Sequence, residues 1–245
     1  MLITGANKGI GYYMAMSWLE KGNIAIVLDV SCDEIDKLKF EYGERLMTRI
    51  CDVSDFNSVK ESVKEAIDMY NNIDIAVHNA CICVFESLSQ HSIDEYKKIY
   101  DVNFLGAVNI TKIVLPFMLE NKKGRICYSS SGVGVTGYIN ISGYSASKGA
   151  IEAFAKCMLL ENLENNVSFH ILQPPLTNTE SSSPLPVPKE FKADPKKVGY
   201  GLIKNIYKRK FIITPSLLDT LTVKMSYNFP RFTGKLLVRM TNKTK

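Results

Sequence analysis

Tyr144 and Lys148 stand four residues apart in the stretch Tyr144-Ser145-Ala146-Ser147-Lys148. On a helix, positions i and i+4 share one face, a turn apart. An ammonium beside a phenol favours the phenolate, so the pair would pull the phenol pKa from about 10 towards neutrality. Such a phenol can hand a proton to a carbonyl oxygen or take one from an alcohol. The spacing by itself is weak, since most Tyr-x-x-x-Lys pairs are solvated helix faces. What gives it meaning lies elsewhere in the chain.

Near the start, Gly5-x3-Gly9-x-Gly11 follows the short apolar stub Met1-Leu2-Ile3 and opens the helical pattern Ile10, Met14, Trp18, Leu19. Glycines between a strand and a helix let the backbone turn tightly and approach a pyrophosphate, whose charge the helix N-terminus favours. Asp29 ends the next apolar run, Ile24 to Leu28, 18 residues after Gly11. A carboxylate there accepts hydrogen bonds from the adenosine ribose hydroxyls and repels a 2′-phosphate, which favours NAD over NADP. Lys8 pulls the other way as a phosphate partner, or is simply a solvated charge. Asp29 carries more weight, because a carboxylate at the ribose disfavours the phosphate directly.

The elements that would position these residues alternate. The run at 24–28 reads as a strand buried on both faces. Helix Asp33–Tyr42 leads to strand Leu46–Cys51, and helix Asp55–Tyr70 to strand Ile73–His78. A long helical stretch, Ile93 to Leu119, precedes strand Arg125–Ser129, and a helix from Gly143 to Leu163 precedes strand Val167–Leu172. Helix Pro195–Tyr207 and strand Phe211–Thr214 complete the series. Alternation of this kind predicts an α/β fold: a doubly wound parallel sheet of about seven strands with helices on both faces. Pro174 to Pro188 breaks the pattern with five prolines (174, 175, 184, 186 and 188) and three consecutive serines. A proline-rich loop at the carboxyl edge of a sheet, about residues 174–193, reads as a substrate lid or else as a plain connection.

With 245 residues, 46% hydrophobic and 22% charged, the chain suits one such domain and excludes disordered and fibrous classes. Its six cysteines form no CxxC pair and, with three scattered histidines, no metal site, which reads as reduced thiols in a cytoplasmic protein. There is no signal peptide, and no uninterrupted apolar run of about 18 residues. From Ser216 onward six basic residues (Lys224, Arg231, Lys235, Arg239, Lys243 and Lys245) face Asp219 alone, which accounts for the whole net charge of +5. A formally neutral body over residues 1–215 argues against a nucleic-acid partner.

Taken together, the residues resemble the short-chain dehydrogenases/reductases in their single-domain form. Thr4-Gly5-Ala6-Asn7-Lys8-Gly9-Ile10-Gly11 resembles that family's TGxxxGxG cofactor motif, Asp52-Val53 its adenine-contacting pair, and Asn79-Ala80 its NNAG turn. Asn103 resembles its catalytic-helix asparagine; Ser131, thirteen residues before Tyr144, its catalytic serine; Tyr144 and Lys148 its YxxxK pair. Pro174 to Thr179 resembles PGxxxT, whose threonine contacts the nicotinamide amide. The resemblance spans residues 2 to 215. Two positions depart from it: Cys81 and Pro175 stand where the family has glycine, and both would reshape the nicotinamide pocket.

The resemblance implies a division of labour. Tyr144 is the acid/base, Lys148 lowers its pKa and holds the nicotinamide ribose, Ser131 binds the substrate oxygen, and Asn103 holds a water that links Lys148 to solvent. Ser129 competes with Ser131 by strand alternation. Ser142 reads as a helix cap, and His78 as a strand-end hydrogen bonder or, less simply, a catalyst. The family also implies a homodimer or homotetramer.

Residues 216–245 form a separate extension. Leu217, Leu218, Leu221, Met225 and Phe229, then Phe232, Leu236, Leu237 and Met240, fall at helical spacing with basic residues between them. Such a tail packs on its own domain or a second subunit, or lies on an anionic membrane surface. The sequence therefore predicts an oxidoreductase interconverting a secondary alcohol and a ketone with NAD(H), on an apolar small molecule. The alternatives are an NADPH ketoreductase and a non-catalytic NAD(H) sensor.

Overall fold

Uninterrupted apolar runs such as Ala25–Leu28 bury both faces of a strand, and they build the centre of the sheet. A computed structural model describes residues 1–185 and 187–242. Pro186 of the proline-rich loop and Lys243 and Lys245 of the basic tail lie outside the described residues. The strands are β1 (Leu2–Thr4), β2 (Ala25–Asp29), β3 (Leu46–Ile50), β4 (Ile75–His78), β5 (Gly124–Ser129), β6 (Val167–Leu172) and β7 (Ile212–Ile213). They pair in parallel in the order β3-β2-β1-β4-β5-β6-β7. The order reverses between β1 and β4, and the crevice at the carboxyl ends of those strands is where such sheets take ligands.

Helices cover both faces. On one side α1 (Gly9–Glu20) packs against α8 (Pro195–Asn205), and Met14, Leu19, Leu202 and Ile203 are buried between them and the sheet. On the other, α3 (Phe56–Tyr70), α5 (Gly106–Glu120) and α7 (Ser142–Glu161) bury Val59, Val63, Ile110, Val114 and Ile151. Local signals fix the helix starts. The Asp55 carboxylate accepts from the N–H groups of Asn57 and Ser58, and Ser92 and Glu95 form a capping box at α4 (Ile93–Tyr100).

Four expectations are corrected. Residues 33–42 are not one helix: a 3-10 segment, Ile35–Leu38, runs into a single turn, α2 (Lys39–Tyr42). The stretch from Ile93 is continuous but not uniform, because Asp101–Leu105 form a π-helical turn between α4 and α5. That rod, Ile93–Glu120, is long and apolar enough by composition to cross a membrane, with an 18-residue window of mean hydropathy 1.6. Here it packs on the sheet and on α3, burying Ile99, Ile110 and Val114. Ser142 does not cap α7; it is that helix's first residue, and its hydroxyl pairs with the phenol of Tyr96. The proline-rich loop also holds two short 3-10 segments, Glu180–Ser182 and Lys189–Phe191.

The tail folds as two helices, α9 (Leu217–Asn228) and α10 (Pro230–Asn242). Both dock on a short turn, α6 (Val133–Thr136), that follows β5. Tyr138 and Thr241 share a hydroxyl hydrogen bond at 2.6 Å, and Tyr227 reaches Glu152 of α7 at 2.6 Å. The tail thus packs on its own domain through one face.

Candidate active site

One cavity of about 1110 Å³ opens at the carboxyl ends of the central strands. Its floor is the glycine loop. Gly5 and Gly9 have φ near +64°, a region that L side chains rarely adopt. A Cβ on Gly11 would lie 2.4 Å from the Gly5 carbonyl oxygen and 2.7 Å from Asn79 Nδ2. The loop and α1 therefore meet closer than any side chain allows, and the backbone is left bare towards the cavity. That cradle fits a pyrophosphate at a helix N-terminus.

A hydrogen-bond frame holds the loop. Thr4 Oγ1 accepts from the N–H groups of Asn79 and Ala80, both at 3.1 Å, and so donates its own proton to His78 Nδ1 at 3.3 Å. His78 Nε2 then carries the ring proton and donates to the Asn103 carbonyl at 3.0 Å. Full burial pushes the His78 pKa down to about 3, which keeps the ring neutral. Asn79 Nδ2 donates to the Gly5 carbonyl at 2.7 Å. Asp29 Oδ2 accepts from the Asn7 N–H at 2.8 Å, while Asn7 Oδ1 accepts from the N–H groups of Glu34 and Ile35.

Asp29, Asp52, Val53, Asn79, Ala80, Pro174 and Thr179 all line the cavity, as do Gly5, Asn7, Lys8, Gly9 and Ile10. Two carboxylates beyond the sequence reading, Asp33 and Glu34, share the Asp29 end. Lys8 is not free at that end: it pairs with Glu180 of the proline-rich loop at 3.1 Å, both side chains being exposed. Thr179 stands over Gly9, its methyl 3.3 Å from where a Cβ there would sit.

The three consecutive serines do three different things. Ser129 donates to Asn79 Oδ1 at 3.0 Å, and its carbonyl accepts from Lys148 Nζ at 2.8 Å. Ser130 turns to the other side and donates to Glu152 Oε1 at 2.8 Å. Ser131 lines the cavity wall beside Tyr144. Lys148 Nζ lies 5.5 Å from the Tyr144 ring centre, beneath it. Ser131, Tyr144 and Lys148 thus share one wall, whereas Asn103 does not reach it.

Asn103 is fully buried in the π turn. Its Nδ2 donates to the Ile82 carbonyl at 3.0 Å and to Ser147 Oγ at 2.9 Å, and its Oδ1 accepts from the Ile82 N–H at 2.8 Å. The amide braces the segment after β4 against α7, with both Nδ2 hydrogens engaged.

The electrostatics differ from the sequence expectation. Burial pushes the Tyr144 phenol well above its ordinary value, ionised Cys81 or Cys83 would push it further, and the Ser131 side chain opposes them. Burial also lowers the Lys148 ammonium. The ammonium is therefore less available to favour the phenolate, and the protein alone keeps the phenol protonated. Cys83, a cavity residue missed from sequence, has its own thiol pushed up to about 12 by burial. The far end is roofed by Val223 and Ser226 of α9 and by Leu237 and Thr241 of α10.

A profile of the family described as short chain dehydrogenase matches residues 1–188. An oxidoreductase of Salmonella typhimurium named UcpA is 35% identical over 182 residues, 73% of this chain and 69% of that one. A 3-oxoacyl-[acyl-carrier-protein] reductase of Thermotoga maritima is 30% identical over 189 residues, 76% of each. A solved alcohol dehydrogenase from the archaeon Thermococcus sibiricus, complexed with 5-hydroxy-NADP, superposes with a TM-score of 0.76 at 26% identity. That alignment covers 84% of this chain and 88% of the other. Fold, glycine cradle and sequence likeness agree, and the chain belongs to the short-chain dehydrogenase/reductase family of oxidoreductases.

Proposed function

We propose that this oxidoreductase interconverts a secondary alcohol and a ketone on an apolar small molecule, using NAD(H). The observation that carries this reading is one cavity with Ser131, Tyr144 and Lys148 on one wall and three carboxylates, Asp29, Asp33 and Glu34, at its other end. Those carboxylates would repel a 2′-phosphate and accept from ribose hydroxyls, and Lys8 is already engaged by Glu180. The bare glycine backbone at Gly5 and Gly9 would hold the pyrophosphate, with Gly11 letting α1 close on the loop. When bound, the nicotinamide supplies or accepts the hydride.

The chain's own residues handle the proton. The Tyr144 phenol, protonated in its buried setting, donates to the carbonyl oxygen as negative charge grows there, and takes the proton back in the alcohol-oxidising direction. Ser131 Oγ donates a second hydrogen bond to the same oxygen and orients it. Lys148, anchored by the Ser129 carbonyl beneath the phenol, offsets charge left on the phenolate. Around the reacting oxygen the wall is largely apolar, with Phe85, Val133, Ile141 and Leu185, which excludes water and suits a lipophilic substrate. A homodimer or homotetramer would use the outer faces of α5 and α7, where Phe117 and Leu160 are exposed, with Leu105 of the π turn beside them.

The test is a panel of apolar ketones and secondary alcohols assayed with NAD(H) and NADP(H) by nicotinamide absorbance. Turnover with NAD(H), lost by at least about 10²-fold in Tyr144→Phe with cofactor binding kept, is expected. Full activity in that variant removes the assignment. Cofactor binding without turnover on any substrate would favour a sensor.

A further inference from the structure

Seven large apolar side chains on one side of α9 and α10 stand exposed, from Leu217 at 79% and Leu218 at 73% to Leu236 at 42%. They are not scattered. Along α10, Phe232, Leu236 and Met240 recur at i, i+4 and i+8 as one stripe, and Arg231, Lys235 and Arg239 recur at the same spacing directly beside it. On α9, Leu217, Leu218, Leu221 and Met225 share one face, flanked by Lys224. The opposite faces are the ones in use. Thr222, Val223 and Ser226 of α9 and Leu237 and Thr241 of α10 roof the cavity, and Gly234 packs on the Thr136 carbonyl. None of Lys224, Arg231, Lys235 and Arg239 makes an ion pair among the described residues.

We propose that the outer face of α9 and α10 docks on an anionic lipid bilayer, with the apolar stripe in the acyl boundary and the basic stripe at the headgroups. Charge decides between occupants. A second copy meeting this face about a two-fold axis would set basic stripe against basic stripe, with only Asp219 on these helices to offset them. A layer of anionic headgroups is complementary to the same stripe, and helices with this pairing of faces lie in the interface plane. Because the inner face of these helices is the cavity roof, docking would set that roof at the bilayer. The inference goes beyond the oxidoreductase reading and does not depend on turnover.

The experiment is flotation of the full chain with vesicles of phosphatidylcholine mixed with phosphatidylserine, against phosphatidylcholine alone. Recovery with the anionic vesicles only, falling as salt is raised, is expected. R231E/K235E/R239E should lower the partition at least about tenfold, and F232S/L236S/M240S should abolish it. Both sets spare the cavity-lining positions, and unchanged melting and cofactor binding establish that they fold. Salt dependence needs no variant, so the wild-type chain alone can refute the idea. Absence of anionic-vesicle binding overturns the proposal, as does binding indifferent to salt and to both variant sets. So does a concentration-dependent dimer that F232S/L236S/M240S dissociates while vesicles are ignored.

Discussion

The Tyr227 phenol donates to Glu152 Oε2 at 2.6 Å, and Glu152 stands one helical turn beyond Lys148. The other oxygen of that carboxylate accepts from Ser130, next to Ser131. Helix α9 is thus tied to the strand and the helix that hold the acid/base pair. Tyr227→Phe removes one donor from a buried carboxylate and is expected to cost about 1–3 kcal/mol. In a chain of this size that lowers the melting temperature by about 2–12 °C. An unchanged melt would mean that the tether adds nothing.

Asp29→Ala removes the carboxylate that lines the cavity beside Asp33 and Glu34 and accepts from the Asn7 N–H. The ratio of kcat/KM for NADP to that for NAD should rise by about tenfold or more. Steady-state kinetics with both cofactors checks this. An unmoved ratio would leave Asp33 and Glu34 as the discriminating charges.

Burial of neutral His78 gives the protein an acid-labile stability. Its folded pKa, about 3, lies below the ordinary 6.5, so the unfolded chain binds the extra proton first. The contribution is complete above pH 6.5 and is lost as pH falls towards 3, at up to about 1.4 kcal/mol per pH unit. His170, pushed down to about 4 by burial, acts in the same direction. Urea unfolding at a series of pH values should show the loss, and His78→Asn should flatten it. An equal slope in that variant would assign the effect to other groups.

Tyr144 should stay protonated in the cofactor-free protein. Its ultraviolet tyrosinate signal, taken as wild type minus Tyr144→Phe, is expected only above pH 10, its ordinary value. A signal near neutrality would mean that Lys148 overrides burial even without cofactor.

Gly11→Ala would place a methyl 2.4 Å from the Gly5 carbonyl oxygen and force the loop off α1. Cofactor affinity measured by calorimetry should fall by at least about tenfold. Retained affinity would show that the cradle is not the pyrophosphate seat.

The sheet was legible because its strands are apolar runs and its helices amphipathic, and both are local patterns. Tyr144 and Lys148 were legible for the same reason, a fixed offset along one helix; Ser131, two residues past β5, came only from its resemblance to the family's serine thirteen residues before the tyrosine. The Lys8–Glu180 pair was not, because its partners are 172 residues apart and neither carries a local signal. Glu152 carries no local signal either, since its donors, Ser130 and Tyr227 of α9, are 22 and 75 residues away. The phenol pKa was misjudged for a related reason. The i, i+4 spacing shows the neighbouring charge, but not the depth of burial that both groups share. Residues 33–42 had helical composition, yet Asn7 accepts from the N–H groups of Glu34 and Ile35, and the segment begins as a 3-10 turn pinned to the glycine loop.

The π turn at Asp101–Leu105 has an effect on phase. It carries more residues per turn than the α-helices on either side, so the inward face of α5 is rotated relative to the one a straight continuation of α4 would present. Ile99 before the turn and Ile110 after it are both buried across that offset. Forcing these five residues into an ordinary α-helix without removing one would swing one half of the rod by about 100°, one residue's rotation, against the other. The rod would then keep its hydrogen bonds and lose its inward side: in a helix, as in a reading frame, the count matters more than the letters.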